Sequence, residues 1–382
     1  MTDDVYQASL NLHREHGGKL EVKSKVKLDS REALSLAYTP GVAEVSREIA
    51  KNPSLARDYT LKKNTIAIVS DGSAILGLGN LGALAAIPVM EGKAAIFKEF
   101  AGVDAFPICL DTQDPEEIIK AVKQIAPVFG GINLEDIAGP RCFEIEQRLR
   151  AELNIPVMHD DQWGAATVVL AGLINSLKLT NKKKEEVKVV ISGIGAAGVA
   201  TARLLLAYDI KNIIYIDSQG IITDARPDLT AEKRELLNAS NLKPVVGDLA
   251  EAMKGADVFI GLSKPGVLTG EMVKSMNVSP IIFALANPTP EIMPDIAREA
   301  GAAVVATGRS DFPNQLNNSL VFPGAFRGML EGNIGQFKIE MFTGIAEALA
   351  HFVTDLSPDK ILPTMFDPGV ADLVSSTIQK YK

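Results

Sequence analysis

From residue 64 onward the chain alternates short runs of β-branched and apolar residues with amphipathic stretches, and this alternation constrains the fold more than any other feature. The runs TIAIVS (65–70), AAIF (94–97), AFPICLD (105–111), GGINLED (130–136) and IPVMHDD (155–161) read as strands. Between the last three lie PEEIIKAVKQIAPV and PRCFEIEQRLRAEL, which open on proline and carry apolar residues at helical spacing. A helix between two strands is long enough to return the chain to the same end of the sheet, so the strands pair in parallel. After the charge cluster NKKKEE (181–186), read as a solvated loop, a second series follows: VKVVISG (187–193), NIIYID (212–217), DVFIGLS (257–263), PIIFALAN (280–287) and AVVATG (303–308).

The predicted fold class is therefore α/β, with two domains that each carry a largely parallel sheet flanked by helices, the C-terminal one Rossmann-like. A length of 382 residues agrees, since single cores stop growing below this size. We place a first domain at 1–161, a second at 162–325, with the boundary within the long apolar helix from about 162 to 179 or just before it, and a helical segment at 326–382 that packs back on the first domain.

Acidic residues outnumber basic ones, 47 to 39, which argues against nucleic acid or an anionic membrane as partner. Two cysteines, Cys109 and Cys142, form no disulfide framework, and the four histidines make no paired metal motif. The N-terminal residues lack a signal-peptide pattern and no apolar run is long enough to span a bilayer, so the expected location is cytoplasmic.

Two segments fit G-x-G-x-x-G. In GIGAAG the glycines Gly193, Gly195 and Gly198, with Ala196 and Ala197, join the strand VKVVIS to a helix, and the next strand ends in Asp217. That context suits a dinucleotide: glycines admit the pyrophosphate to the backbone at a helix N-terminus, and an acid about 20 residues on accepts ribose hydroxyls. Asp217, followed by the uncharged Ser218 and Gln219, would repel a 2′-phosphate and so favours NAD, although NADP is possible if a basic residue such as Arg226 approaches. GLGNLG (77–82) reads as structural, because the run after it ends in Lys98 rather than an acid.

The second constellation is acidic. Glu135 and Asp136 close one strand, Asp160 and Asp161 the next, so both pairs emerge at one C-terminal sheet edge. Each pair alone reads first as a helix N-cap. Together, four carboxylates with no thiolate call for a hard cation, Mg²⁺ or Mn²⁺. Lys93, at the start of AAIF, is either a snorkelling lysine or a base whose pKa burial has lowered. Tyr38, before a Pro-Gly turn, reads by itself as a core aromatic, and Asn287, Asn317 and Asn318 are weak polar signals at strand ends and turns.

The segments LAYTPGVAEVS, DGSAILGLGNLG, IPVMEGKAAIFKEFAGVDA, INLEDIAGPRCFEIE, IPVMHDDQWG, ISGIGAAGVA, FALANPTPE and NNSLVFPG together resemble the malic enzymes, particularly their shorter bacterial form. The resemblance implies oxidative decarboxylation of L-malate to pyruvate and CO₂ with a dinucleotide and a divalent metal, in a homodimer or higher homo-oligomer. Carried over by position, it makes Tyr38 the general acid, Lys93 the general base, and Glu135, Asp136 and Asp161 the metal ligands. Asp160 becomes a further active-site acid, Asn287 and Asn318 substrate contacts, and Asn317 a neighbour of the nicotinamide. The chain departs from the family pattern at Trp163, Ala165 and Ala74; the last stands where longer relatives have an arginine for a substrate carboxylate. Two other readings stay open: an oxaloacetate decarboxylase on the same site, and a dinucleotide-binding sensor with a vestigial one.

Overall fold

The structure is a computed structural model that describes residues 2–241 and 245–382. Its first sheet is built from β1 (Thr65–Ser70), β2 (Asp104–Cys109), β3 (Gly131–Leu134) and β4 (Val157–His159), ordered β2-β1-β3-β4 and parallel throughout. Four α-helices precede it: α1 (Thr2–His16), α2 (Arg31–Ala37), α3 (Val42–Lys51) and α4 (Ala56–Tyr59). The crossovers are α5 (Ala83–Ala101), α6 (Pro115–Ile125) and α7 (Arg141–Glu152). The long α8 (Asp160–Thr180) leaves β4 directly.

The second series gives β5 (Val189–Ser192), α9 (Ala196–Ala207), β6 (Ile213–Asp217), β7 (Gly220–Ile221), α10 (Ala231–Ala239), α11 (Leu249–Met253), β8 (Val258–Gly261), α12 (Gly270–Lys274), β9 (Ile281–Ala284), α13 (Pro294–Glu299) and β10 (Val304–Thr307). Their sheet order is β10-β9-β8-β5-β6-β7, parallel except for the short β7 at one edge. Three helices follow: α14 (Phe322–Gly332), α15 (Ile339–Phe352) and α16 (Val370–Gln379).

The apolar runs are continuous rather than alternating because both faces of each sheet are covered. In β1, Ile66 and Ile68 face the large central core while Ala67 and Val69 face a smaller core shared with α6 and α7. In β5, Val189 and Ile191 join the same central core, and Val190 points to the opposite side. Helix α8 is apolar and long enough to cross a membrane by length and composition, but most of it is buried inside this central core, against α9 and α15.

An aromatic chain ties the last helices to both α5 and α8. Phe97 packs on Phe322 and Phe326 at 4.8 and 5.7 Å, and Phe326 on Phe337 at 5.3 Å. Phe337 then stacks on Phe342 at 5.5 Å, and Phe342 on Trp163 at 5.1 Å. Trp163, the departure beside the second acidic pair, is thus a packing residue whose Nε1 also donates to Glu146 at 2.9 Å.

One predicted strand is not a strand. AAIF lies inside α5, and Lys93 is mid-helix rather than at a strand start. The buried residues Ala86, Met90, Lys93, Ala94, Phe97 and Ala101 recur at the 3.6-residue period that marks one helical face. Pro88 and Gly92 within the helix obscured that period in the sequence. The comparison that assigned GLGNLG a following strand therefore fails too: the loop leads into α5, with Gly82 at its N-cap.

The buried aromatic chain is the most direct test of this packing. Phe326→Ala removes a fully buried ring from the middle of the chain and should lower the unfolding free energy by about 3–5 kcal/mol, read by denaturant titration. A loss within about 0.5 kcal/mol would mean that the last helices do not close the central core.

Candidate active site

The acidic edge forms as the strand order dictates. β3 and β4 pair directly, and Glu135 extends the ladder, donating its N–H to Val69 O at 2.9 Å. The chain then turns at Asp136, which adopts a left-handed backbone (φ 53°) that short polar side chains tolerate better than most. This turn aims the Asp136 N–H at Asp161 Oδ2, 2.8 Å away, while its carbonyl accepts the N–H of Ala74 at 2.9 Å. Asp160 and Asp161 form the first turn of α8, so the same two residues are strand-end acids and helix N-terminal acids.

Oxygens of Glu135, Asp136 and Asp161 all lie within 4.8 Å of one another. Asp136 Oδ2 and Asp160 Oδ1 are buried with no hydrogen-bond partner among the described residues. Such orphans are costly in a folded interior unless something else fills them. An all-oxygen, carboxylate-rich set fits Mg²⁺ or Mn²⁺ rather than a thiophilic metal.

Lys93 is only 7% exposed, and its ammonium donates to both Glu135 and Asp160 while lying 4.3 Å over the Phe322 ring. Asp160 Oδ2 also accepts Asn318 Nδ2 at 2.6 Å, and Glu135 accepts Asn133 Nδ2 at 3.0 Å. Gly164 leaves space for Asp160: a Cβ there would fall 2.0 Å from Asp160 Oδ1. The expectation that burial lowers the lysine pKa is reversed. Burial does pull it down, but Asp160, Glu135 and Asp161 outweigh that and hold Lys93 above its ordinary value.

The carboxylates move the other way. Burial raises Glu135 well above the ordinary range, Lys93 opposing and the neighbouring acids adding. Burial and then Asp161 raise Asp136 to about 7, and burial, partly offset by Lys93, raises Asp160 to about 6. His159, fully buried 3.7 Å from Asp161, is pushed toward the neutral form by burial.

At the second sheet, β5 runs into Gly193 and α9 begins at Ala196. A Cβ on Gly198 would sit 1.9 Å from Gly193 O, and one on Gly193 2.3 Å from Leu262 O, so only glycine permits this turn. Gly195 has open space around it and caps α9 with no side-chain bond, which leaves the helix N–H groups of Ala196 and Ala197 free for an anion.

Asp217 ends β6 as expected, but its surroundings correct the charge argument. Arg226 donates to both of its oxygens at 2.8 and 2.9 Å, Lys233 to one at 2.7 Å, and the N–H of Gln219 to the other at 2.9 Å. Partial burial opposes ionisation, yet these donors hold the pKa down to about 2. The carboxylate is neutralised by cations 9 and 16 residues downstream, so it cannot repel a 2′-phosphate as a bare acid would.

The asparagines divide. Asn318 joins the cluster through Asp160. Asn317 caps a short 3₁₀ turn, accepting from the N–H of Ser319 at 2.9 Å. Asn287 follows β9, and its carbonyl oxygen lies 2.4 Å from where a Gly77 Cβ would be, so the GLGNLG loop of the first sheet abuts it. Tyr38 is not a core residue: it is 65% exposed and makes no bond to the cluster. Sequence reasoning missed Asp71, buried after β1 and bound by Arg141, which opens α7. Their position just past the ends of β1 and β3 was the available signal.

Groups whose pKa is raised on folding stabilise the metal-free protein at low pH and lose that contribution as pH rises through the raised value, about 7 for Asp136 and about 6 for Asp160. Mn²⁺ should therefore raise the melting temperature more at about pH 8 than at about pH 5, relative to chelator, because at low pH protons compete with the cation at Asp136 and Glu135. Equal shifts at both pH values would contradict a carboxylate cation site.

Comparisons with known proteins show what the chain as a whole is similar to. Residues 17–116 and 112–150 match the malic enzyme N-terminal domain, and residues 163–373 the malic enzyme NAD binding domain. The chain is 52% identical to the bifunctional malic/malolactic enzyme of Bacillus subtilis, across 98% of this chain and 92% of that one. It is 54% identical to the NAD-dependent malic enzyme of Geobacillus stearothermophilus, across 95% and 76%. The crystal structure of the NAD-dependent malic enzyme of Thermotoga maritima superposes with a TM-score of 0.94 at 50% identity, over 97% of this chain and 98% of that one. The paired acids, the buried lysine between them and the glycine turn at α9 thus sit in a chain that belongs to the malic enzyme family.

Proposed function

We propose that this protein oxidatively decarboxylates L-malate to pyruvate and CO₂ while reducing NAD. The observation that carries the reading is the buried Lys93, held between Glu135 and Asp160 at the rim of an acidic oxygen cluster. Glu135, Asp136 and Asp161 would hold Mg²⁺ or Mn²⁺, which when bound polarises the substrate C2 oxygen and steadies negative charge on it. The turn at Gly193, Gly195, Ala196, Ala197 and Gly198 would hold NAD, the hydride acceptor, with Asn317 near its nicotinamide. Arg226 and Lys233 cancel the charge of Asp217, so NADP is permitted as a second choice.

Lys93 takes the proton of the C2 hydroxyl as the hydride departs from C2. To act as a base it must first give up its own proton, and its hydrogen bond to Asp160, which is not committed to the cation, provides the acceptor. With Glu135 and Asp161 committed to a cation, two of the charges that keep Lys93 protonated are neutralised. Asn318 and Asp160 fix the lysine's position, and Asn287 and Asn318 orient the substrate. The oxidised product is a β-keto acid whose C3–C4 bond breaks with loss of CO₂, and the Tyr38 hydroxyl returns a proton to C3.

Tyr38 does this from a second copy of the chain. Helices α2, α3 and α4 bury no residue, and Leu34, Leu36, Val42 and Val45 are exposed around Tyr38. Leu76, Leu78, Leu81 and Leu84, in the loop ahead of α5 and at its start, are exposed as well. Apolar surface of this extent is usually covered by a partner, which supports a homodimer with composite sites.

A second reading, decarboxylation without net redox, draws support from the malic/malolactic name of the Bacillus subtilis relative. The discriminating assay supplies malate, Mn²⁺ and NAD or NADP, and follows reduced cofactor against pyruvate and lactate. Reduced cofactor equal to pyruvate is expected; lactate without cofactor turnover would replace the leading reading.

Lys93→Ala should abolish turnover while leaving NADH binding intact, and near-normal turnover would remove Lys93 from the role. Mixing inactive Lys93→Ala and Tyr38→Phe proteins should restore up to about a quarter of wild-type activity, since half of randomly formed dimers are mixed and each holds one intact site. No recovery after verified subunit exchange would place Tyr38 in its own chain's site.

A further inference from the structure

We propose that Arg141 is the cation that receives a carboxylate of the substrate, an assignment that rests on the malate reading above. The need arises from charge. Asp71, Glu135, Asp136, Asp160 and Asp161 crowd one sheet edge, and Lys93 is already enclosed between two of them. A dicarboxylate entering such a field needs a positive group that is still open to it. The segments leaving the C-terminal ends of the four strands of the first sheet are 71–82, 110–114, 135–141 and 160–164. Arg141 is the one lysine or arginine in them.

Its geometry is that of a prepared anion receptor. Asp71 is buried, and its Oδ2 accepts Arg141 Nε at 3.2 Å and Nη2 at 3.0 Å. Oδ1 of the same carboxylate accepts the N–H and the hydroxyl of Ser73 at 3.0 and 2.5 Å. The Ser73 hydroxyl in turn accepts the N–H of Ala138 at 2.9 Å. Asp71 is thus fully used, and it clamps one edge of the guanidinium. Arg141 Nη1 has no partner among the described residues, and the side chain remains 25% exposed. A guanidinium held along its Nε edge presents its Nη edge, a fork that matches a carboxylate.

The place is also right. Arg141 ends the loop that begins at the cluster residue Asp136, and Ala74 donates to Asp136 O in the adjoining loop. In the same loop Gly139 comes close to the dinucleotide turn, a Cβ there falling 3.7 Å from Ala196 N. The loop that ends in Arg141 therefore runs from the carboxylate cluster past the cofactor turn, and Arg141 supplies the positive charge that Ala74 does not. A cofactor phosphate is the competing oxyanion at this position.

Arg141→Lys keeps a charge against Asp71 but loses the fork, and Arg141→Ala loses both. For Arg141→Lys we expect the KM for malate to rise about ten- to hundredfold. NADH affinity, measured by fluorescence without malate, should stay within about twofold and the melting temperature near that of the wild type. Added guanidinium should recover part of the malate kcat/KM of Arg141→Ala. An unchanged malate KM overturns the assignment, as does a loss of NADH affinity in the same proportion, which would make the cofactor phosphate its ligand. A wild-type protein that turns over no malate removes the malate reading and this assignment together, whereas unchanged variants of an active wild type remove the assignment alone.

Discussion

The ammonium of Lys93 is the point on which the site is assembled. It comes from the middle of α5, and its partners come from the end of β3 and the first turn of α8, so three elements must pack together before the charge is satisfied. An unpaired ammonium at this depth would cost several kcal/mol, and removing one partner of a buried pair typically costs about 3–5 kcal/mol. Beneath it lies the Phe322 ring, the first residue of α14 and part of the aromatic chain that runs from Phe97 to Trp163. The last helices are therefore connected to the charge cluster by contact as well as by the core.

The cluster is unstable in the sense that matters for function. Glu135, Asp136 and Asp160 are raised by burial and by neighbouring acids, and two carboxylate oxygens are left without partners among the described residues. A protein built for stability alone would not place Asp136 and Asp161 against Glu135 in this way. The fold tolerates the arrangement because the surrounding cores are large and continuous, with α8 belonging at once to the β4 edge and to the interior shared by both sheets.

Much of this was legible in the chain itself. The β-branched runs specify parallel strands covered on both faces, because period and length are local properties of sequence. The placement of Glu135, Asp136, Asp160 and Asp161 on neighbouring strands followed from strand succession, and the glycine turn with Asp217 from its strand-turn-helix context. Less legible was α5, where Pro88 and Gly92 masked a helical face that carries Lys93 among alanines and large apolar residues. The family resemblance named Lys93 and Tyr38, but not where they stand.

What the sequence determined by itself is the order of elements and the edge at which chemistry-bearing residues emerge. Tertiary structure decided who meets whom: Lys93 with Asp160, 67 residues apart; Asn318 with Asp160, 158 apart; Arg141 with Asp71, 70 apart; and two cations on Asp217 that overturn its reading as a bare acid. It also left Tyr38 exposed, with no bond to the cluster. The physical reason is that hydrophobic periodicity is written along the chain, whereas the partner and protonation state of a charged group depend on groups that folding brings from elsewhere into a low-dielectric interior.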